Sequence, residues 1–285
     1  MKPSLRKALH WTGSALSLAG IVFVSIRLKE YFEGQNFASI SLVSWGTIGG
    51  LAIIYAVANL LLALAWRQIL VQFDSPVTRK WSIQVYGVSQ LAKYVPGNIF
   101  HLAGRQALGM SAGIPGNTLA KSIFWELALS AVAGTLFGSL LLPLWIPDLP
   151  TLATATLLLA SCCFISILLR QFVGTAASAA FWIQLLFLSV TAGIFVSLLE
   201  IINQGETYQF HTWVVMGGAY VIAWLCGLIT PGAPAGVGMR EFILLFLLKG
   251  LVVDADLLIA VLLGRIVSVV GDVLYYLYAV FSGKE

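Results

Sequence analysis

The sequence predicts an all-α polytopic membrane protein, and three observations predict it. Of its 285 residues, 59% are apolar and only 10% are Asp, Glu, Lys or Arg, against roughly 25% charged in a soluble domain. Leu-rich runs of span length recur along almost the whole chain instead of forming one anchor. Two of the apolar regions are interrupted by Pro-Gly pairs at matching places. The longest stretch free of a membrane-type segment is about ten to fifteen residues, so residues 1–285 read as one transmembrane domain with no room for a separate nucleotide-binding, aminoacyl-transfer or glycosyl-transfer domain.

The elements follow in order. Span 9–26 is preceded by Lys2, Arg6 and Lys7, and no small-residue cleavage site precedes Arg27 and Lys29, so it reads as an uncleaved first span. Further full spans are 45–70, 118–145, 152–169, 177–202 and 257–281, each about the twenty residues that cross a ~30 Å core. Two regions break the pattern. Segment 81–95 carries Gln84, Gln90 and Lys93, reaches only about 22 Å as helix, and is stopped by Pro96-Gly97. Segment 213–229 is broken by Pro231-Gly232-Ala233-Pro234 and followed by a glycine-rich turn and a short limb ending near Gly250. The expectation is six full transmembrane helices plus two broken, re-entrant helical hairpins.

The two breaks match each other. Pro96-Gly97 is followed by seven residues and then Arg105, Pro231-Gly232 by seven residues and then Arg240, and both pairs stand 135 positions apart. The same offset superposes the flanking spans, which gives an internal repeat of units at approximately 44–146 and 179–281. A hairpin leaves the chain on the side where it entered, so the number of full spans between the units makes them opposite in direction. Inverted repeats with discontinuous helices near the midplane are a transporter architecture. With the net charge of +4 scattered singly between apolar runs, the cations carry topology and not nucleic-acid binding. A cytoplasmic N-terminus puts Lys2, Arg6, Lys7, Arg79, Lys80, Arg170 and Lys284 inside and Asp148, Glu206, Asp254 and Asp256 outside, and places the C-terminus inside as well.

The stretch Lys93-Tyr94-Val95-Pro96-Gly97-Asn98 through His101 to Gly104-Arg105, then Thr230-Pro231-Gly232 through Gly236 and Gly238 to Arg240-Glu241, and the late span with Arg265, resemble the lysylphosphatidylglycerol synthetase/flippase transmembrane family. The resemblance covers nearly the whole chain, and its specificity lies in the two Pro-Gly hairpins and their arginines. It departs at Glu126-Leu127, where the family often has Glu-Arg. It implies a multi-pass protein of a bacterial or archaeal cytoplasmic (inner) membrane that moves lipids or lipid-linked groups between leaflets. The synthetase domain is not in this chain, so aminoacyl transfer is not implied.

Arg105 and Arg240 follow breaks where new helices begin with unpaired N–H groups, a setting that attracts an anion. The bland reading is that each caps carbonyls of its own broken helix or snorkels to an interface. Lys93 either reaches the same head group or snorkels to the interface, His101 is either a head-group or proton contact on the face of Arg105 or an ordinary amphipathic interface residue, and Glu241 sits beside Arg240, where it tunes the charge or faces a wet vestibule. Glu126 and Arg265 occupy related depths after the two hairpins, and a pair between them makes both tolerable in lipid, with Asp272 on the same helical face as Arg265. The alternatives are a protonated Glu126 or an Arg265 facing a lipid phosphate. Gly232, Gly236 and Gly238 lack the preceding strand and the lysine of a phosphate loop. The three histidines are too dispersed for a metal, and Cys162, Cys163 and Cys226 sit in apolar runs as packing residues, so no cofactor is expected.

The expected function is a lipid flippase or transporter for an anionic phospholipid or polyprenyl-phosphate-linked lipid, with membrane lipids as partners, no nucleic acid, and a homo-oligomer left open. The alternatives are a membrane-embedded transferase or phosphatase acting on a lipid phosphate, and a non-catalytic assembly factor of a glycolipid-synthesis complex. No convergent acid, base or nucleophile set is visible, so no enzyme is expected.

Overall fold

The computed structural model describes residues 41–95, 99–146, 148–203, 208–230 and 238–282. The expected span 9–26 and the breaks at Pro96, Gly97, Pro231 and Gly232 lie outside the described residues. The helices are α1 Leu42–Gln72, α2 Arg79–Gln90 continued by a 3₁₀ turn Leu91–Tyr94, α3 Phe100–Ser111, α4 Gly116–Leu136 continued by a 3₁₀ stretch Phe137–Leu144, α5 Thr151–Phe172, α6 Thr175–Ile202, α7 Phe210–Ile229, α8 Met239–Leu247 and α9 Asp254–Phe281. Among the described residues, six helices are long and apolar enough to cross a membrane: α1, α4 with its 3₁₀ stretch, α5, α6, α7 and α9. The chain is an all-α, multi-pass membrane protein.

One boundary differs from expectation. The first limb of the second unit is 20 residues long and qualifies as a span by itself, whereas its counterpart α2 has 12 residues. Against the expected start at Trp213, Phe210, His211 and Thr212 join the helix, and its last turn stays α-helical where the first unit has the 3₁₀ turn Leu91–Tyr94.

Local chemistry sets the helix starts. Ser41 Oγ accepts the Ser44 N–H at 3.1 Å and Thr78 Oγ1 the Trp81 N–H at 3.1 Å, so α1 and α2 begin on side-chain caps. Asp254 and Asp256 stand in the first turn of α9, where carboxylates complement the helix dipole. At α8, Gly238 takes φ +87° and its N–H donates to Glu241 Oε2 at 2.8 Å.

Three contacts fix the directions of the long helices. Gln72 Nε2 at the end of α1 donates to the Val173 carbonyl just ahead of α6 at 2.8 Å, and Tyr55 meets Phe187 midway along with ring centroids 6.3 Å apart, so α6 runs opposite to α1. Trp66 Nε1, late in α1, donates to Ser122 Oγ, early in α4, at 3.0 Å, so α4 also opposes α1. Asn59 reaches Asp272 and Tyr55 packs on Gly271, so α9 runs with α1. The first helices of the two units, α1 and α6, are therefore opposed, as are the last, α4 and α9. The core lies where α1 packs on α6 and α9, through small residues such as Ala58, Ala65 and Ala180 that let backbones approach without help from water. Large apolar side chains such as Ile53, Phe124, Phe164 and Phe246 face outward, as a lipid solvent allows.

At Gly271 the backbones of α9 and α1 meet directly. A Cβ there would stand 2.7 Å from Tyr55 Cδ1, 2.9 Å from the Ala52 carbonyl oxygen and 3.1 Å from the Ala56 nitrogen. Gly271→Ala is expected to cost about 1–3 kcal/mol by overpacking a helix pair that has no slack. Gly46→Ala on α1, with open space around it, is the control. The check is the melting temperature of both variants in detergent, and equal melting would show that α1 and α9 are not in backbone contact.

Candidate functional site

A cavity of about 140 Å³ lies between the two units. Its wall takes Tyr55 from α1, Tyr86 and Gln90 from α2, Lys93 and Tyr94 from the 3₁₀ turn, His101 from α3, Glu126 and Leu127 from α4, Phe187 from α6, Trp224 from α7, Arg240 from α8 and Arg265 and Ser268 from α9. Glu126 is ten residues into α4 and Arg265 eleven into α9, roughly 15 Å along each helix and about half of a ~30 Å core. Charges at that depth need partners.

Three ion pairs answer this need. Arg105 Nη1 donates to Glu126 Oε1 at 3.0 Å, and Nη2 lies 2.8 Å from Oε2 but off the hydrogen-bond direction. Tyr86 Oη donates to the same Oε1 at 2.9 Å, and the guanidinium is covered by the Tyr86 ring at 4.4 Å and the Trp66 ring at 5.2 Å. Arg105 is thus only 2% exposed. In the second unit, Arg265 Nε and Nη2 donate to Glu241 Oε1 at 2.9 and 2.5 Å, while the other Glu241 oxygen caps α8. The polarity is exchanged between the units: the short helix carries the arginine and the long helix the carboxylate in the first, and the reverse in the second.

The third carboxylate, Asp272, is fully buried and takes donors from three chain segments. Lys93 Nζ lies 2.6 Å and Tyr94 Oη 2.5 Å from Oδ2, while Asn59 Nδ2 and Gln90 Nε2 reach Oδ1 at 3.1 and 3.3 Å. Asp272 on α9 therefore holds the 3₁₀ turn Leu91–Tyr94 against α1.

These contacts correct two expectations. Glu126 and Arg265 both line the cavity, but each takes its partner from its own unit, because the neighbouring short helix offers an opposite charge at shorter reach than the helix across the cavity. Asp272 does not join Arg265, since Lys93 and its companions occupy it. Arg105 and Arg240 also part company: Arg105 does not line the cavity, being sealed by Glu126 and two rings, whereas Arg240 does. Arg240 separates the main cavity from a smaller one of about 20 Å³ bounded by Phe195, Tyr220 and Gly264. Among the described residues no carboxylate pairs with it, and its buried Nε has no hydrogen-bond partner.

His101 lines the cavity as expected, with a buried Nδ1 that has no hydrogen-bond partner among the described residues. Asn59, Tyr86, Gln90 and Tyr94 were not among the expected site residues. Asn59 inside the apolar run Ala58-Asn59-Leu60-Leu61 was the available signal, since a lone amide at mid-span asks for a buried partner. The groups of His, Cys, Asp and Glu among the described residues offer no metal-holding cluster.

No family model matches the chain, and no curated protein sequence matches it.

Proposed function

We propose that this membrane protein is a lipid flippase or transporter, moving an anionic phospholipid or polyprenyl-phosphate-linked lipid between leaflets through the cavity between its two units. The observation that carries the reading is Arg240, a guanidinium that lines a cavity, borders a second, and has no carboxylate of its own among the described residues. An unpaired charge that is partly withdrawn from water is costly, and an anionic head group removes that cost. Leu127, an exposed apolar residue of α4, forms part of the wall and offers an opening toward lipid for the acyl chains.

The opposed directions of α1 and α6 and of α4 and α9 support reading the two breaks as re-entrant hairpins that enter from opposite ends and meet at the cavity. They fit the resemblance to the lysylphosphatidylglycerol synthetase/flippase transmembrane family, which belongs to the same proposal. Glu126, Glu241 and Asp272 are each engaged with a cation, which favours transport over a transferase or phosphatase that would need one of them as a base.

The orientation follows from charge. Arg67 and Gln72 tie the end of α1 to Val77 and Val173, and Lys80 and Ser282 border one cleft, so Arg67, Arg79, Lys80 and Arg170 gather at one end of the bundle. Asp254 and Asp256 lie at the other, with Lys249 the exception. The basic end is cytoplasmic on the positive-inside rule, in a bacterial or archaeal inner membrane.

The test is leaflet exchange in reconstituted vesicles. Arg240→Ala removes a charge-assisted contact worth roughly 1.5–3 kcal/mol, so exchange of an anionic lipid is expected to fall about ten- to a hundredfold with melting unchanged. Arg240→Lys restores part of it, because the charge returns without the planar fork. Normal exchange by the alanine variant would sink the reading.

A further inference from the structure

The cavity also specifies the charge of what it takes. Four cations line it or back its wall, Lys93, Arg105, Arg240 and Arg265, against three carboxylates, Glu126, Glu241 and Asp272. Among the described residues three pairs form, and one positive charge is left at Arg240. The segments 96–98 and 231–237, whose residues are Pro96, Gly97 and Asn98 and then Pro231 to Val237, contain no acidic residue that could cancel it. His101 also lines the cavity with a buried ring nitrogen that has no hydrogen-bond partner among the described residues, and it comes from the opposite unit. An imidazolium there would add a second uncompensated charge beside Lys93 and Arg105, so the neutral ring is the form that the charge count permits. A neutral imidazole can donate one hydrogen bond to a phosphate oxygen or accept one from a head-group hydroxyl.

Resting on the reading that the cavity receives a lipid head group, we propose that the cargo is a phosphodiester lipid with a single net negative charge, its phosphate on Arg240 and one further oxygen on His101. A diphosphate would bring at least one negative charge with no cation to meet it, in surroundings where an unmatched charge is expensive. A zwitterionic head group satisfies Arg240 but carries its own cation into a wall whose carboxylates are already taken. The volume agrees. About 140 Å³ is several times the roughly 10–15 Å³ that one water needs by the same measure, enough for a phosphate with a few attached atoms, while the acyl or prenyl chains remain outside.

The experiment measures binding, not transport, so that the two readings fail separately. The full chain in detergent is titrated by calorimetry with short-chain phosphatidylglycerol, short-chain phosphatidylcholine, a prenyl diphosphate, and water-soluble glycerophosphoglycerol. Phosphatidylglycerol is expected to bind at least about tenfold more tightly than phosphatidylcholine or the diphosphate. Glycerophosphoglycerol should bind weakly, and binding as tight as the lipid's would assign the site to a free phosphodiester and overturn the lipid part of the proposal. Arg240→Gln should abolish the preference for phosphatidylglycerol over phosphatidylcholine. His101→Lys, which supplies a second cation, should raise diphosphate affinity about tenfold and reverse the order, whereas His101→Phe should weaken phosphatidylglycerol without reversing it. A wild-type chain that prefers the diphosphate or binds phosphatidylcholine equally overturns the charge assignment, even if it exchanges lipids. A chain that binds as expected but moves no lipid leaves the assignment standing and removes the transport reading.

Discussion

Arg105→Ala is expected to destabilise the protein by about 3–5 kcal/mol, because it strands the Glu126 carboxylate among buried helices. Arg105 is 2% exposed and Glu126 is 6% exposed, and Glu126 is bound into four elements: Arg105 from α3, Tyr86 from α2, its own helix, and Gln184 of α6, whose Nε2 donates to the Glu126 backbone carbonyl at 3.2 Å. Loss of the guanidinium also removes the plate that fills the space between the Trp66 and Tyr86 rings. The prediction is therefore a failure of folding or a steep fall in melting temperature, not a selective loss of transport. Removing both charges distinguishes this from a binding role. A variant with Arg105→Met and Glu126→Leu should recover most of the loss, since a well-packed apolar pair can equal a buried ion pair. If Arg105→Ala melts like the wild type, or if the double variant is worse than the single, the pair does not hold the α3–α4 contact as described.

The contrast between Arg105 and Arg240 shows what a repeat in the sequence can and cannot convey. Their identical distance from a Pro-Gly break made them look equivalent, and both do sit on short helices, Arg105 midway along α3 and Arg240 at the start of α8. Equivalence stops at the partners. At the offset of 135, Glu126 corresponds to Val261 and Glu241 to Gln106, so the carboxylates are not repeated even though the arginines are. The pairing of each arginine is decided by which helix brings a carboxylate within reach, a three-dimensional fact that spacing along the chain does not encode. The long apolar spans were legible because a membrane core demands about twenty apolar residues in a row. The polar cluster around Asp272 was legible only as scattered polar residues, Asn59 at mid-span among them, because they become a site only when α1, α2 and α9 converge. Asp272 itself was visible as a charge in an apolar helix, but helical periodicity pointed to Arg265, its neighbour on the same face, and not to Lys93 from the other unit.

Asp272→Ala should cost about 3–5 kcal/mol as well, and for a related reason: it leaves Lys93 without its carboxylate and strips four donors of their acceptor. The donors belong to α1, to the end of α2 and to the turn that follows, while Asp272 belongs to α9, so the loss loosens the contact between the two units and not merely one helix. Asp272→Asn separates the two effects. The amide keeps an acceptor oxygen for Asn59 or Gln90 but no longer neutralises Lys93, which lines the cavity. The cavity then holds two unmatched positive charges in place of one. Asp272→Asn is accordingly expected to melt lower than the wild type yet to bind a prenyl diphosphate about tenfold more tightly than it does, and adding Lys93→Met should return the preference to a singly charged phosphodiester. Calorimetric titration of the two variants alongside their melting curves makes the check. A variant that melts lower but keeps the wild-type order of head groups would show that Lys93 leaves the cavity once its partner is gone, and that Asp272 serves only to join the units.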